Sequence, residues 1–184
     1  MGKINLLLIL FIILSLFTAC GGNNSSGGSA DPVGDRTGRD GTAGNSTGQA
    51  VLNNYEKDVF NMVNNHRRSL GLNSLLWHEK AIYESQGHSQ DMASFRVPFG
   101  HTGSSERFSN IKANETRDTE KLGENVAQNS NSSGISHSEV AFKGWLRSYG
   151  HRKNIEGDYT HTGIGARQSA NGSWYFTQIF IKVR

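Results

Sequence analysis

Trp174-Tyr175-Phe176-Thr177-Gln178-Ile179-Phe180-Ile181-Lys182-Val183 alternates two sets of strand-forming side chains. Trp174, Phe176, Gln178 and Phe180 share one face, and Tyr175, Thr177, Ile179 and Ile181 share the other, because successive side chains of a strand point to opposite sides. Both sets are largely apolar, so a sheet containing this strand needs a covering layer on each face. Asn171-Gly172 lies just before the strand, after Thr162–Arg167. That order predicts a C-terminal β-hairpin turning through Asn-Gly, a pair that supplies the positive φ angles of a tight two-residue connection.

Upstream, the hydrophobic period lengthens to three and four residues. Tyr55, Val59, Met62, Val63, His66 and Leu70 predict a first helix of about 16 residues, with Gly71 placed for a left-handed cap. Ala81, Ile82, Ser85, His88, Ser89 and Met92 predict a second helix whose small side chains allow tight packing on one side. A third runs from Ser136 through Val140, Ala141, Trp145 and Tyr149, capped at its start by serine and expected to end at Gly150. Helices followed by antiparallel strands place the chain in the α+β class.

The chain has 184 residues and 22 glycines, unevenly spread. Gly21–Ala50 contains one Val and no aromatic residue, too little apolar surface to offset the entropy of ordering, and reads as a flexible tether. All seven histidines follow it, and the folded domain is expected over residues 51–184. The net charge of +3 is dispersed without a basic block, which argues against a nucleic-acid partner. The single cysteine excludes an intramolecular disulfide and a structural zinc module.

Lys3 precedes an apolar run from Leu6 to Leu14 that continues through Leu16 and Phe17 to Thr18-Ala19-Cys20. The run is short for a spanning helix and has the charged start and small-residue end of a secretory signal. Leu16-Phe17-Thr18-Ala19-Cys20 resembles a bacterial lipoprotein signal, although Phe17 stands where Leu, Val or Ile is usual. The resemblance implies a signal peptide over 1–19, a lipid on Cys20, and a tether over 20–50 that holds the domain at a membrane. Gly21 is not the Asp that retains many lipoproteins at an inner membrane, so the outer membrane or cell surface is the expected location. An ordinary signal peptide with a chance Cys is the other reading.

Several phrases of the domain resemble, in order, the CAP superfamily of cysteine-rich secretory, antigen 5 and pathogenesis-related 1 proteins, in its bacterial SCP-like branch. They are Asn64-x-x-Arg67, Leu75-Leu76-Trp77, Ala81 with His88-Ser89, Phe99-Gly100-His101-Thr102 and Gly123-Glu124-Asn125-Val126-Ala127. Trp145-x-x-Ser148-x-Gly150-His151-Arg152-x-Asn154-Ile155, Tyr159-Thr160 with Gly163-Ile164-Gly165, and Trp174–Phe180 complete the series. The resemblance implies a three-layer α-β-α sandwich around a central antiparallel sheet. It also implies a cleft lined by His101, Glu124 and His151, with Ser148 where the family's second Glu normally lies and His161 as an alternative to His151.

Two imidazoles and a carboxylate make a ligand set for a weakly bound zinc ion at His101, Glu124 and His151, while no cofactor is required. The reading set against it, and favoured because buried His/Glu networks are common in stable folds, is a hydrogen-bonded network fixing loops over the sheet. No catalytic residue is assigned; His101, Glu124, Ser148 and His151 are the candidates, and neither a Gly-x-Ser-x-Gly elbow nor an HExxH motif is present. Two functional classes follow. The first is a surface-tethered binding module whose cleft takes a small ligand, a lipid or sterol, a peptide or a glycan, or whose surface meets a partner protein. The second is a metal-assisted hydrolase or protease of the cell envelope. His66, His78 and His137 read as surface or loop residues, Asn64 and Arg67 as side chains bonding backbone, and Trp77, Trp145 and Trp174 as core.

Overall fold

The computed structural model describes residues 51–130 and 134–184; the signal, Cys20 and the tether lie outside the described residues. In chain order the elements are α1 (Asn54–Ser69), β1 (Leu76–Trp77), α2 (Glu79–Ala93), α3 (Ser104–Ala113) and β2 (Thr119–Asn129). They are followed by α4 (His137–Arg147), α5 (Tyr149–Ile155), β3 (His161–Gln168) and β4 (Trp174–Val183). The strands form one sheet in the order β1-β3-β4-β2, antiparallel except for the short parallel pair of β1 with β3.

β4 is the central element, and its two faces take different partners, as its alternation predicts. Phe176 and Phe180 join Val59 and Val63 of α1, Ala141 and Trp145 of α4, and Ile155 of α5 in one core. Ile179 and Ile181 pack on the opposite face with Ala81 of α2 and Ile111 of α3, and Tyr175 packs there with Met92, Ala93 and Val126. The result is a three-layer α-β-α sandwich.

Local chemistry sets the helix ends. Asn53 and Glu56 form a reciprocal capping box at the start of α1, and Gly71, at φ 72°, closes its other end by donating to Arg68 while Leu72 donates to Arg67. The Asn64 side chain both donates to and accepts from the Leu75 backbone, while Arg67 donates to the carbonyls of Asn73, Ile155, Gly157 and Tyr159. The buried guanidinium is thus solvated by backbone. Opposite, α2 lies directly on β3. A Cβ at Gly163 would fall 2.1 Å from the Ala81 carbonyl carbon, and one at Gly165 would fall 2.2 Å from the Ser85 carbonyl oxygen. Ser85 and Ser89 hydroxyls donate to the carbonyls of these two glycines across the close contact.

Three local expectations change. The third predicted helix is two helices, because Ser148 is extended at φ −90° and ψ 121° and serves as the cap of both α4 and α5; Gly150 lies inside α5 and does not end the helix. The hairpin turn is wider than two residues. Ser169 and Ser173 still pair across it, and of the three residues between them only Gly172 has positive φ, so the turn uses one left-handed position instead of the two that a tight Asn-Gly turn needs. Finally, α3, α5 and β2 are elements that the period analysis did not separate. β2 is rich in Glu, Lys, Gly, Asn and Gln, and becomes a strand through its pairing with β4 from Thr119↔Val183 to Asn129↔Trp174.

Candidate functional site

The site forms where the two helical layers meet the edge strand β2. Glu124 lies on β2 with a side chain that is 3% exposed. His101 comes from the loop between α2 and α3, and Gly100 just before it, at φ 145°, accepts a 2.8 Å hydrogen bond from His88 Nε2 of α2. His151 arrives from the other layer on α5. Its carbonyl accepts from Asn125 Nδ2, and Asn154 Nδ2 donates to the Asn125 side chain and the Glu124 carbonyl, so two amide side chains clip α5 to the strand carrying Glu124.

At the centre, His101 Nδ1 donates to Glu124 Oε1 at 2.8 Å. Arg107 of α3 completes the carboxylate's partners: Nε donates to Oε2 at 2.9 Å, and Nη2 donates to Oε1 at 2.8 Å and to Oε2 at 2.7 Å. Arg107 Nη1 also donates to the Thr102 carbonyl, tying the His101 loop to the same guanidinium. This bidentate, charge-assisted pairing fixes Glu124 and, through it, one ring nitrogen of His101. The His101 side chain is half exposed and keeps Nε2 for a ligand. Burial holds the His151 pKa below its ordinary value, and the nearby His101 lowers it further, which favours the neutral imidazole.

This geometry revises the chemistry expected from the residue types. Glu124 has both oxygens engaged and a guanidinium against it, so it does not fit as a direct ligand of a cation beside His101 and His151. Among the described residues, no three His, Cys, Asp or Glu side chains form a group able to hold a metal ion. The role left to Glu124 is to orient His101, as a carboxylate does when it accepts from the second nitrogen of an imidazole. Ser148 caps α5 through its backbone carbonyl, which accepts from Arg152, and its hydroxyl makes no hydrogen bond to His151. No nucleophile–base pair is assembled there.

His161 belongs elsewhere. It lies at the start of β3, with its ring centroid 6.0 Å from that of His78. His78 Nε2 donates to Glu115, which is also held by Arg117, and His78 Nδ1 accepts from Ala81 N to cap α2. Arg117 holds the Glu115 carboxyl well below the usual carboxylate range, and burial lowers the His161 pKa. Of the two, His151 is the one whose pKa the charge of His101 lowers, whereas His161 faces His78, Glu115 and Arg117. Of the other histidines, His66 pairs with Glu156 and His137 bonds Asn129. Arg107 is the site residue that the sequence reading missed. Its signal was slight: it stands four residues before Ile111, so the two share the buried face of α3.

Comparison with known proteins agrees with this fold. The family model described as the cysteine-rich secretory protein family, CAP, matches residues 60–180. An uncharacterized membrane protein of Bacillus subtilis strain 168, YlbC, is 34% identical over 131 residues, covering 69% of this chain and 34% of that protein. The uncharacterized protein YkwD of the same organism is 32% identical over 130 residues, covering 69% of this chain and 47% of that protein. The chain thus spans between a third and a half of the length of these curated relatives. Among solved structures, an SCP-domain extracellular protein from Bacillus anthracis has a TM-score of 0.54 at 29% identity, covering 70% of this chain and 40% of that one. An outer surface protein from Borrelia burgdorferi has a TM-score of 0.56 at 18% identity, covering 71% of this chain and 93% of that one, a likeness of fold.

Proposed function

Because the chain belongs to the CAP, or cysteine-rich secretory protein, family, we propose that it serves as a binding module of the bacterial cell envelope, taking a ligand at the His101–His151 cleft without turning it over. The observation that carries this reading is the saturation of Glu124. Both of its oxygens accept from Arg107, and one also accepts from His101, so the only cleft carboxylate of the sequence-derived set has no free lone-pair direction to act as general base. The groups left for a ligand are His101 Nε2 and the His151 imidazole, favoured in its neutral form. They suit a ligand with hydrogen-bond donors, such as a peptide, a partner protein loop or the hydroxyl of a lipid or sterol.

The envelope location rests on the apolar N-terminal run ending in Cys20 and on the membrane and extracellular descriptions carried by relatives. A lipid on Cys20 followed by about 30 residues, if they behave as the tether their Gly- and Ser-rich composition predicts, would give the domain a root-mean-square reach of roughly 30 Å from the bilayer.

The test sets the full chain against peptide, ester and glycoside substrates, with and without added Zn²⁺, beside His101→Ala and His151→Ala. The reading expects no turnover in any arm, and it expects the ring resonances of His101 and His151 to move when a peptide, fatty-acid or sterol ligand is titrated. Turnover that collapses in both variants while their far-UV circular dichroism is unchanged would instead establish the envelope hydrolase.

A further inference from the structure

A groove of about 690 Å³ runs between α2 and α3, a volume ordinary for a small-molecule site. His101, Glu124 and His151 do not line it, so it is distinct from the cleft, and Arg107 and Thr102 belong to both. No side chain fills the groove at Gly87, where a Cβ would meet nothing within 4 Å.

Two buried polar side chains line it. His88 is 3% exposed and Arg107 is 7% exposed. His88 donates its Nε2 proton to Gly100, which leaves Nδ1 as a lone-pair acceptor, and among the described residues Nδ1 has no hydrogen-bond partner. Burial, and the nearby Arg107, keep the His88 pKa below its ordinary value, so that lone pair persists at neutral pH. Arg107 spends Nε and Nη2 on Glu124 and one Nη1 proton on Thr102, and one Nη1 proton is left over. An unpaired acceptor and a spare donor thus sit on neighbouring side chains that line the groove, and His88 Nδ1 is not among the buried atoms left without a partner, so it is open to a ligand entering the groove.

The rest of the lining narrows the ligand. Gln90 and Asn110 offer amides that both donate and accept, and Glu106 offers an exposed carboxylate. Tyr83 is 66% exposed, with Lys80 Nζ 4.6 Å from its ring centroid, and presents an aromatic surface at the edge. Apart from Tyr83 and Val97 the lining has few apolar side chains, so a lipid tail would not be well desolvated there. An anion would meet the carboxylates of Glu84, Asp91 and Glu106 and two guanidinium groups that are already matched, Arg107 by Glu124 and Arg167 by Glu56. A sugar hydroxyl donates and accepts from one atom, which matches the His88 and Arg107 pair, and a pyranose C–H face packs on an aromatic ring. We propose that the groove between α2 and α3 is a binding site for a neutral glycan.

The test titrates the full, isotope-labelled chain with two neutral tetrasaccharides, β-1,4-linked N-acetylglucosamine and maltotetraose, and with a sulfated heparin tetrasaccharide. Saturable shifts of the Gly87, Gln90, Gly103 and Asn110 amides are expected with at least one neutral glycan. Tyr83→Ala and Asn110→Ala, both away from the core, are each expected to weaken binding about fivefold, while Tyr149→Ala on α5 leaves it unchanged. The assignment is overturned if neither neutral glycan gives saturable shifts at millimolar concentration. It is equally overturned if the shifts centre on His101 and His151, if the sulfated sugar binds more tightly, or if neither variant weakens binding. Turnover at the cleft bears only on the function proposed above, so the two readings fail separately.

Discussion

Replacing Arg107 with Met keeps most of the side chain's length and removes the charge that Glu124 relies on. In the folded domain the two side chains are 9% and 3% exposed, and three N–H···O contacts of 2.7 to 2.9 Å join them. Removing one partner of such a buried pair leaves the other charge stranded, at a cost of about 3–5 kcal/mol. For a domain of this size, roughly 3–4 °C accompanies each kcal/mol, so the melting temperature of Arg107→Met should fall by about 10–20 °C. Urea unfolding of wild type, Arg107→Met, Glu124→Gln and the double variant supplies the assay, with free energies compared at a common slope. The double variant buries no charge and should recover more than about 2 kcal/mol of the Arg107→Met loss. A cost below about 1 kcal/mol for Arg107→Met, typical of an exposed ion pair, would refute the reasoning, as would a double variant no more stable than Arg107→Met alone.

Gly163→Ala should be among the most damaging single-methyl changes in the domain, because its Cβ would sit 2.1 Å from the α2 backbone. A loss of at least about 3 kcal/mol is expected by urea melt, at the upper end of overpacking costs, and a loss below about 1 kcal/mol would mean that α2 does not rest on β3 as described. Burial lowers the pKa values of His88, His151 and His161, so the unfolded chain takes up protons at these positions before the folded one does. Stability from these groups is therefore complete above the ordinary histidine value of about 6.5 and declines as pH falls below it. By NMR, His151 should titrate below about 6.5, and His101→Ala should raise its midpoint; a midpoint unmoved by that change would separate the two rings.

The parts of the fold that were legible in the sequence are those whose signal repeats over several turns or several strand residues. The α2 pattern of Ala81, Ile82, Ser85, His88, Ser89 and Met92 recurs intact as its buried face. β4 is buried from Tyr175 to Ile181 because both of its faces are covered. The candidate site was less legible. His101 and Glu124 were expected together and are bonded, yet the expectation of Glu124 as a metal ligand came from residue type alone, which cannot register that a third residue has taken its lone pairs. The choice between His151 and His161 also had no local signature: only ten residues separate them, and they end in different neighbourhoods because α5 is clipped to β2 while β3 starts beside His78.

By itself the sequence determined the α+β class, the existence of α1, the buried faces of α2 and β4, and the antiparallel pairing of β3 with β4. Each follows from periodicity or composition, which are properties of consecutive residues. Only the tertiary structure decided that β2 is a strand, that α4 and α5 break at Ser148, that Arg107 captures Glu124 and that α5, carrying His151, is clipped to the strand carrying Glu124. These depend on contacts between residues far apart in the chain. Pairing with β4 overrides the weak strand propensity of residues 119–129, and a buried carboxylate takes the nearest cation that packing brings to it.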